Sequence, residues 1–147
     1  MSGVLISEQN LIDQLRAAFP EMEDLYAERL KSWGNEFPGN YIVFAIIFKP
    51  LLKAELAKSK NEEFLHRLCA FMERVCTSGD SEAINVIWLK IFKLLLPDPA
   101  TVKRLWPLLG PATKMNIKDA AARWGLICNL PVMARPAATR FLFKFHR

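Results

Sequence analysis

The residues of this chain that could do nucleophilic or metal chemistry are few, and their spacing is poor for it. His66 and Cys69 lie three apart, so a thiolate–imidazole pair is the first chemistry to consider. Helical neighbours at that spacing stand side by side, and no Asn or Asp is placed to orient the imidazole. No dyad is expected. His146, the other histidine, sits in the terminal segment and shares no ligand spacing with His66, which argues against a metal site. Glu62 and Glu63 open a helix, where the dipole accounts for acids better than proton transfer does. The six glycines scatter to helix ends and build no phosphate loop. The expectation is a protein without catalysis, cofactor or small-molecule substrate.

Charge is the stronger signal. Residues 1–40 carry seven acidic against three basic side chains, a net of −4, whereas residues 81–147 carry eleven basic against three acidic, a net of +8. A chain so divided, with no reactive constellation, is read as a binder. Its basic half includes Lys90, Lys93, Lys103, Arg104, Lys114, Lys118 and Arg123, and its end interleaves Arg140, Lys144 and Arg147 with Phe141, Phe143 and Phe145. That mixture could contact phosphates and stack on bases; the plainer reading is a solvated basic face with phenylalanines that complete the core. A helical DNA-repair glycosylase would need a carboxylate in an aromatic cleft. Asp119, with Trp124 nearby in sequence, is the single candidate and too little on its own.

The 147 residues, 52% of them hydrophobic, fit one well-filled domain. The apolar run 41–48 is far short of the roughly 20 residues that cross a bilayer, so no membrane span is expected. The first residues lack the features of a secretory signal, and the expected compartment is the cytoplasm. Cys69, Cys76 and Cys128 show no paired spacing, and the first two fall on a helix face with Leu65, Leu68 and Met72, as buried thiols would.

These residues must be carried by helices. Apolar periodicity predicts one over 7–19, capped by Ser7, and a second from Pro20 to Gly34 with Met22, Leu25, Tyr26, Leu30 and Trp33 inward. Asn40 is placed to cap a third, whose all-apolar 41–48 stretch suggests a central position, with a buried strand as the alternative and Pro50 as a break or kink. A fourth runs from Asn61 to Thr77 with Phe64, Leu65, Leu68, Phe71, Met72 and Val75 as its buried stripe. Gly79 and Asp80 divide it from a fifth over 81–95 that buries Ile84, Ile87, Trp88, Ile91, Phe92 and Leu95. Asp98-Pro99 opens a sixth, disturbed at Pro107, and 112–124 forms a seventh with Met115, Ile117, Ala121 and Trp124. The fold class is all-α: a HEAT-like solenoid or an irregular bundle of about seven helices over 1–124, with an atypical segment, 125–147, packed on the same domain.

A series of short fragments runs in order along this framework. Leu11-Ile-Asp-Gln-Leu15, Phe19-Pro-Glu21, Trp33-Gly34, Pro38-Gly39, Tyr41-Ile-Val-Phe44, Pro50-Leu51, Phe71-Met-Glu73, Ser78-Gly-Asp80, Asn85-Val86 and Leu109-Gly-Pro-Ala-Thr113 resemble a family of small bacterial helical proteins. Such proteins look like the immunity partners of bacterial toxins, including those of contact-dependent growth inhibition systems. The resemblance implies a cytoplasmic protein that binds one cognate toxin domain, nucleases being common among such toxins, and blocks its active site.

An acidic patch that steers a basic toxin cleft would suit that role. Glu21, Glu23, Asp24, Glu28 and Glu36 are candidates, with Glu21, Asp24 and Glu28 on one helical face and Trp33, Phe37 and Tyr41 as aromatic anchors beside them. The net charge of +5 runs against a nuclease inhibitor and leaves open a contact through the basic half. A nucleic-acid-binding module and a scaffold are the other readings.

Overall fold

A computed structural model describes residues 4–136. Among them are seven helical segments and no strand: an all-α bundle. α1 is Leu11–Ala18 and α2 is Glu23–Ser32, led in by a 3-10 turn, Pro20–Met22. α3 covers 40–56, α4 is Glu62–Thr77 and α5 covers 81–95. α6 is Pro99–Leu105 with a 3-10 turn, Trp106–Leu108, at Pro107, and α7 is Pro111–Arg123.

α4 is the axis of the bundle. Its eight buried residues, from Phe64 to Cys76, recur at helical spacing and include both core cysteines. α1, α5, α7 and the 3-10 turn at Trp106–Leu108 all pack against it. Phe19 stands over this helix, with ring centroids 5.2 Å from Phe64 and 6.0 Å from Phe71, and 5.0 Å from Phe48 of α3. A helix that is apolar on a wide stripe and charged elsewhere can be covered on that stripe alone, and α4 is.

α3 is less central than its composition suggested. Val43, Phe44, Ile47, Phe48 and Leu52 are buried, but Ile42 and Ile46 face solvent at 43% and 39% exposure. Pro50 does not break the helix. It has no N–H to give Ile46, and the preceding stretch, Phe44–Phe48, widens into a π turn that closes with Lys49 N–H on the Phe44 carbonyl. A second π turn, Trp88–Phe92, interrupts α5.

Local expectations were met unevenly. Asp80 caps α5 by accepting from the N–H groups of Glu82 and Ala83, and Asp98 caps α6 through Ala100. Ser7 and Asn40 do not cap. α1 starts after Asn10, whose Oδ1 accepts from Ser7 N–H at 2.8 Å, and the Asn40 amide donates instead to the Glu8 carbonyl at 2.9 Å. On α5 the buried stripe is Ala83, Val86, Ile87, Ile91, Phe92 and Leu95, with Ile84 and Trp88 only half-buried. On α7, Met115 points to solvent at 67% exposure while Ile117, Ala120 and Ala121 are buried.

Beyond α7 the described chain continues as two 3-10 turns, Ile127–Asn129 and Val132–Ala134. Leu130 is buried, and the Asn129 amide donates to the Leu96 carbonyl at 2.8 Å. Arg140, Phe141, Phe143, Lys144, Phe145, His146 and Arg147, singled out in the sequence, lie outside the described residues.

Candidate binding faces

The candidates for chemistry separate in space. His66 faces solvent on α4 while Cys69, one turn on, is sealed in the core. Burial pushes the Cys69 thiol up to about 12 and that of Cys76 to about 11, so both stay protonated near neutral pH. Asp119 is exposed, whereas Trp124 turns edge-on to Trp88 at 5.9 Å. Among the described residues no group of three or more His, Cys, Asp and Glu side chains could hold a metal ion.

The acidic residues of α2 and its approach divide into two sets. Arg67 of α4 grips Glu21 through both nitrogens, at 2.5 and 2.8 Å, and donates to the Ala18 carbonyl at 2.9 Å. These bonds hold the Glu21 carboxyl below the usual range. Arg16 grips Glu23 in the same way, at 2.8 Å for each bond, with its guanidinium 4.2 Å above the Tyr26 ring. Glu21 belongs to the 3-10 turn rather than to α2, so the face expected of Glu21, Asp24 and Glu28 is not a continuous helical stripe.

Asp24, Glu28 and Glu36 are exposed. Trp33 is half-buried against the core at the end of α2, whereas Phe37, two residues past the turn that follows, is 52% exposed. That turn has a set shape. Gly34 and Asn35 both take positive φ, at 68° and 60°, and Asn35 N–H returns to the Leu30 carbonyl at 2.9 Å.

Phe37 stands on the rim of a cleft of about 450 Å³ that runs between the start of α3 and the start of α5. Glu8 and Glu82 are its charged lining residues, beside Asn40, Tyr41 and Val86. The Tyr41 hydroxyl is 2.6 Å from the Asn85 amide, and Lys90 lies 5.9 Å from the centre of the Tyr41 ring. Past this bridge the same seam opens into a second cleft of about 280 Å³, where the charge is reversed: Lys49, Lys90 and Lys93 line it.

The basic half is also ordered around aromatic rings. Lys93 lies over Trp124, Arg123 over Trp88 and Lys114 over Trp106, each within 6 Å of the ring centre. The Trp88 indole N–H donates to Asn116 at 2.9 Å, which fixes α5 against α7. None of these stacks could be read from spacing in the sequence, because their partners are 8 to 35 residues apart on different elements.

The fold and these faces define a small all-α bundle with two clefts of opposite charge along one helical seam. Within that class the chain belongs to the family described as Domain of unknown function (DUF7674), whose model matches residues 12–125. No curated protein and no solved structure matches the chain. Among the described residues no helix is long and apolar enough to cross a membrane.

Proposed function

We propose that this protein is a non-catalytic, immunity-type binder that occupies a cognate toxin domain, with Phe37 and the acidic cleft beside it receiving a basic surface of that toxin. The observation that carries this reading is the exposed Phe37 at the edge of a cleft whose charged lining is Glu8 and Glu82, with exposed Glu36 adjoining. An aromatic anchor beside acids fits the centre of a tight protein interface, and the acids would steer a cationic partner. In this reading the protein works in the cytoplasm and prevents the toxin, a nuclease among the options, from reaching its substrate. Glu21 and Glu23 hold the bundle together instead of meeting the partner, since each is already clamped by an arginine.

Co-expression with the product of the neighbouring gene tests this directly. The expected result is a stable one-to-one complex that Phe37→Ala weakens by about 2 kcal/mol, roughly thirty-fold. Failure to form any complex with that product removes the reading.

The cation-topped aromatics favour one second reading, a nucleic-acid-binding module on the basic half. It predicts retention on heparin and an affinity for oligonucleotides that falls steeply with salt. Undetectable binding at low salt would end it.

A further inference from the structure

The lysine cleft is flanked by apolar side chains that the bundle leaves uncovered. Ile42 and Ile46 are exposed on α3, and Lys49, just past the π turn, lines the cleft. Leu89, 37% exposed, and Leu94 line it from α5. The walls of the cleft come from the two π turns and the residues that follow them: Ala45 and Lys49 on one side, Leu89, Lys90, Lys93 and Leu94 on the other. π turns are uncommon and recur at functional sites, and here two of them meet across one cleft.

We propose that this surface docks an acidic amphipathic helix of a partner protein. Ala45, Leu89 and Leu94 supply the apolar floor for such a helix, exposed Ile42 and Ile46 extend it along α3, and Lys49, Lys90 and Lys93 supply the cationic rim that its carboxylates would meet. A polyanion such as nucleic acid would use the lysines and leave the isoleucines uncovered. The surface is separate from the Phe37 cleft, being divided from it by the Tyr41–Asn85 bridge and opposite in charge. The proposal therefore stands or falls apart from the toxin reading, because the occupant is defined by its chemistry.

The test is a methyl-detected NMR titration of the whole protein with a synthetic 14-residue helix bearing leucines at i, i+3, i+4 and i+7 and glutamates on its flanks. Saturable shifts are expected at Ile42, Ile46 and Leu89. The Lys49→Glu/Lys93→Glu variant should weaken the binding at least ten-fold, and Phe37→Ala should leave it unchanged. Ile46→Asp, at an exposed position, gives a second variant whose folding is not at risk, with the same expected loss. The proposal is overturned if those methyls do not move, or if a lysine-flanked version of the helix binds equally well. It is overturned too if heparin fragments or phosphatidylserine vesicles produce the same shifts more tightly, or if the shifts appear on raising the protein concentration alone, as a second copy would cause.

Discussion

Glu73 shows how much one side chain can organise here. Its carboxylate accepts from Ala112 N–H at 3.1 Å and from Thr113 N–H and hydroxyl at 2.8 Å each, so α4 itself caps the N-terminus of α7. Replacing Glu73 with Ala should cost about 2–3 kcal/mol in chemical denaturation, since the group is partly buried and all three donors lose their acceptor. Burial pushes the Glu73 carboxyl up, but the bonds from Thr113 and Ala112 outweigh it and hold it below the ordinary value. A folded-state value below the unfolded one means the contribution is complete above about pH 4.3 and disappears as pH falls through the folded value. Glu73→Gln should flatten that part of the acid limb of the stability profile; an unchanged slope below pH 4.3 would show that other carboxylates govern it.

Gly110 supplies a sharper check, because a Cβ there would meet Glu73 Cδ and Oε1. Gly110→Ala should therefore push the Glu73 carboxylate aside and cost no more than the loss of its cap bonds, and less once Glu73 is Ala, a coupling read from a double-mutant cycle. Phe71-Met-Glu73 and Leu109-Gly-Pro-Ala-Thr113 stand out in the sequence only as two separate fragments. Their connection spans some 40 residues and is made by tertiary packing, which no local pattern encodes. The same limit hid the fate of the acidic candidates. Charge counts place Glu21 and Glu23 in an acidic region, but Arg67 and Arg16, which engage them, can be assigned only when the elements are assembled. A charge-reversal test of the acidic face accordingly belongs to Asp24, Glu28 and Glu36, since Lys at 21 would confront Arg67.

At the scale of elements, periodicity is legible wherever one stripe is buried, and α4 is the best case. Its expected stripe, Phe64, Leu65, Leu68, Phe71, Met72 and Val75, is buried throughout. Phe71→Ala should cost about 3–5 kcal/mol by leaving a cavity beneath Phe19. Glu28→Ala on the exposed side of α2 should change stability by no more than about 0.5 kcal/mol. Comparing their denaturation midpoints separates core from surface on adjoining elements. α3 is where the reading went astray: a helix apolar all round reads as central, yet two of its isoleucines meet water. The π turn before Pro50 also shifts the phase of the side chains that follow, a rotation that a fixed 100° step cannot anticipate. Caps set by neighbouring residues, at Asp80 and Asp98, were readable; Ser7 instead gives its backbone N–H to Asn10, three residues on, and Asn40 gives its amide to the distant Glu8 carbonyl.

Across the whole molecule the three thiols report on the packing. Cys69 and Cys76 are buried and Cys128 is exposed. A disulfide reagent should modify one thiol quickly in the native protein and all three after denaturation. Rapid reaction of a second thiol under native conditions would mean that α4 is far less well covered than described.

The bonds to the Glu8 backbone have a mechanical meaning. Asp80 Oδ2 takes its N–H at 3.1 Å, and Asn40 gives to its carbonyl at 2.9 Å, so one peptide segment is pinned to the leading ends of both α3 and α5. Those are the two helices whose seam holds the clefts. A load applied at the N-terminal segment, by a pulling tether or a bulky fusion, meets the core at buried Ile6 and then, through Glu8, the leading ends of α3 and α5. The segment thus ties both edges of the seam to one strap, and cutting it would free the two together.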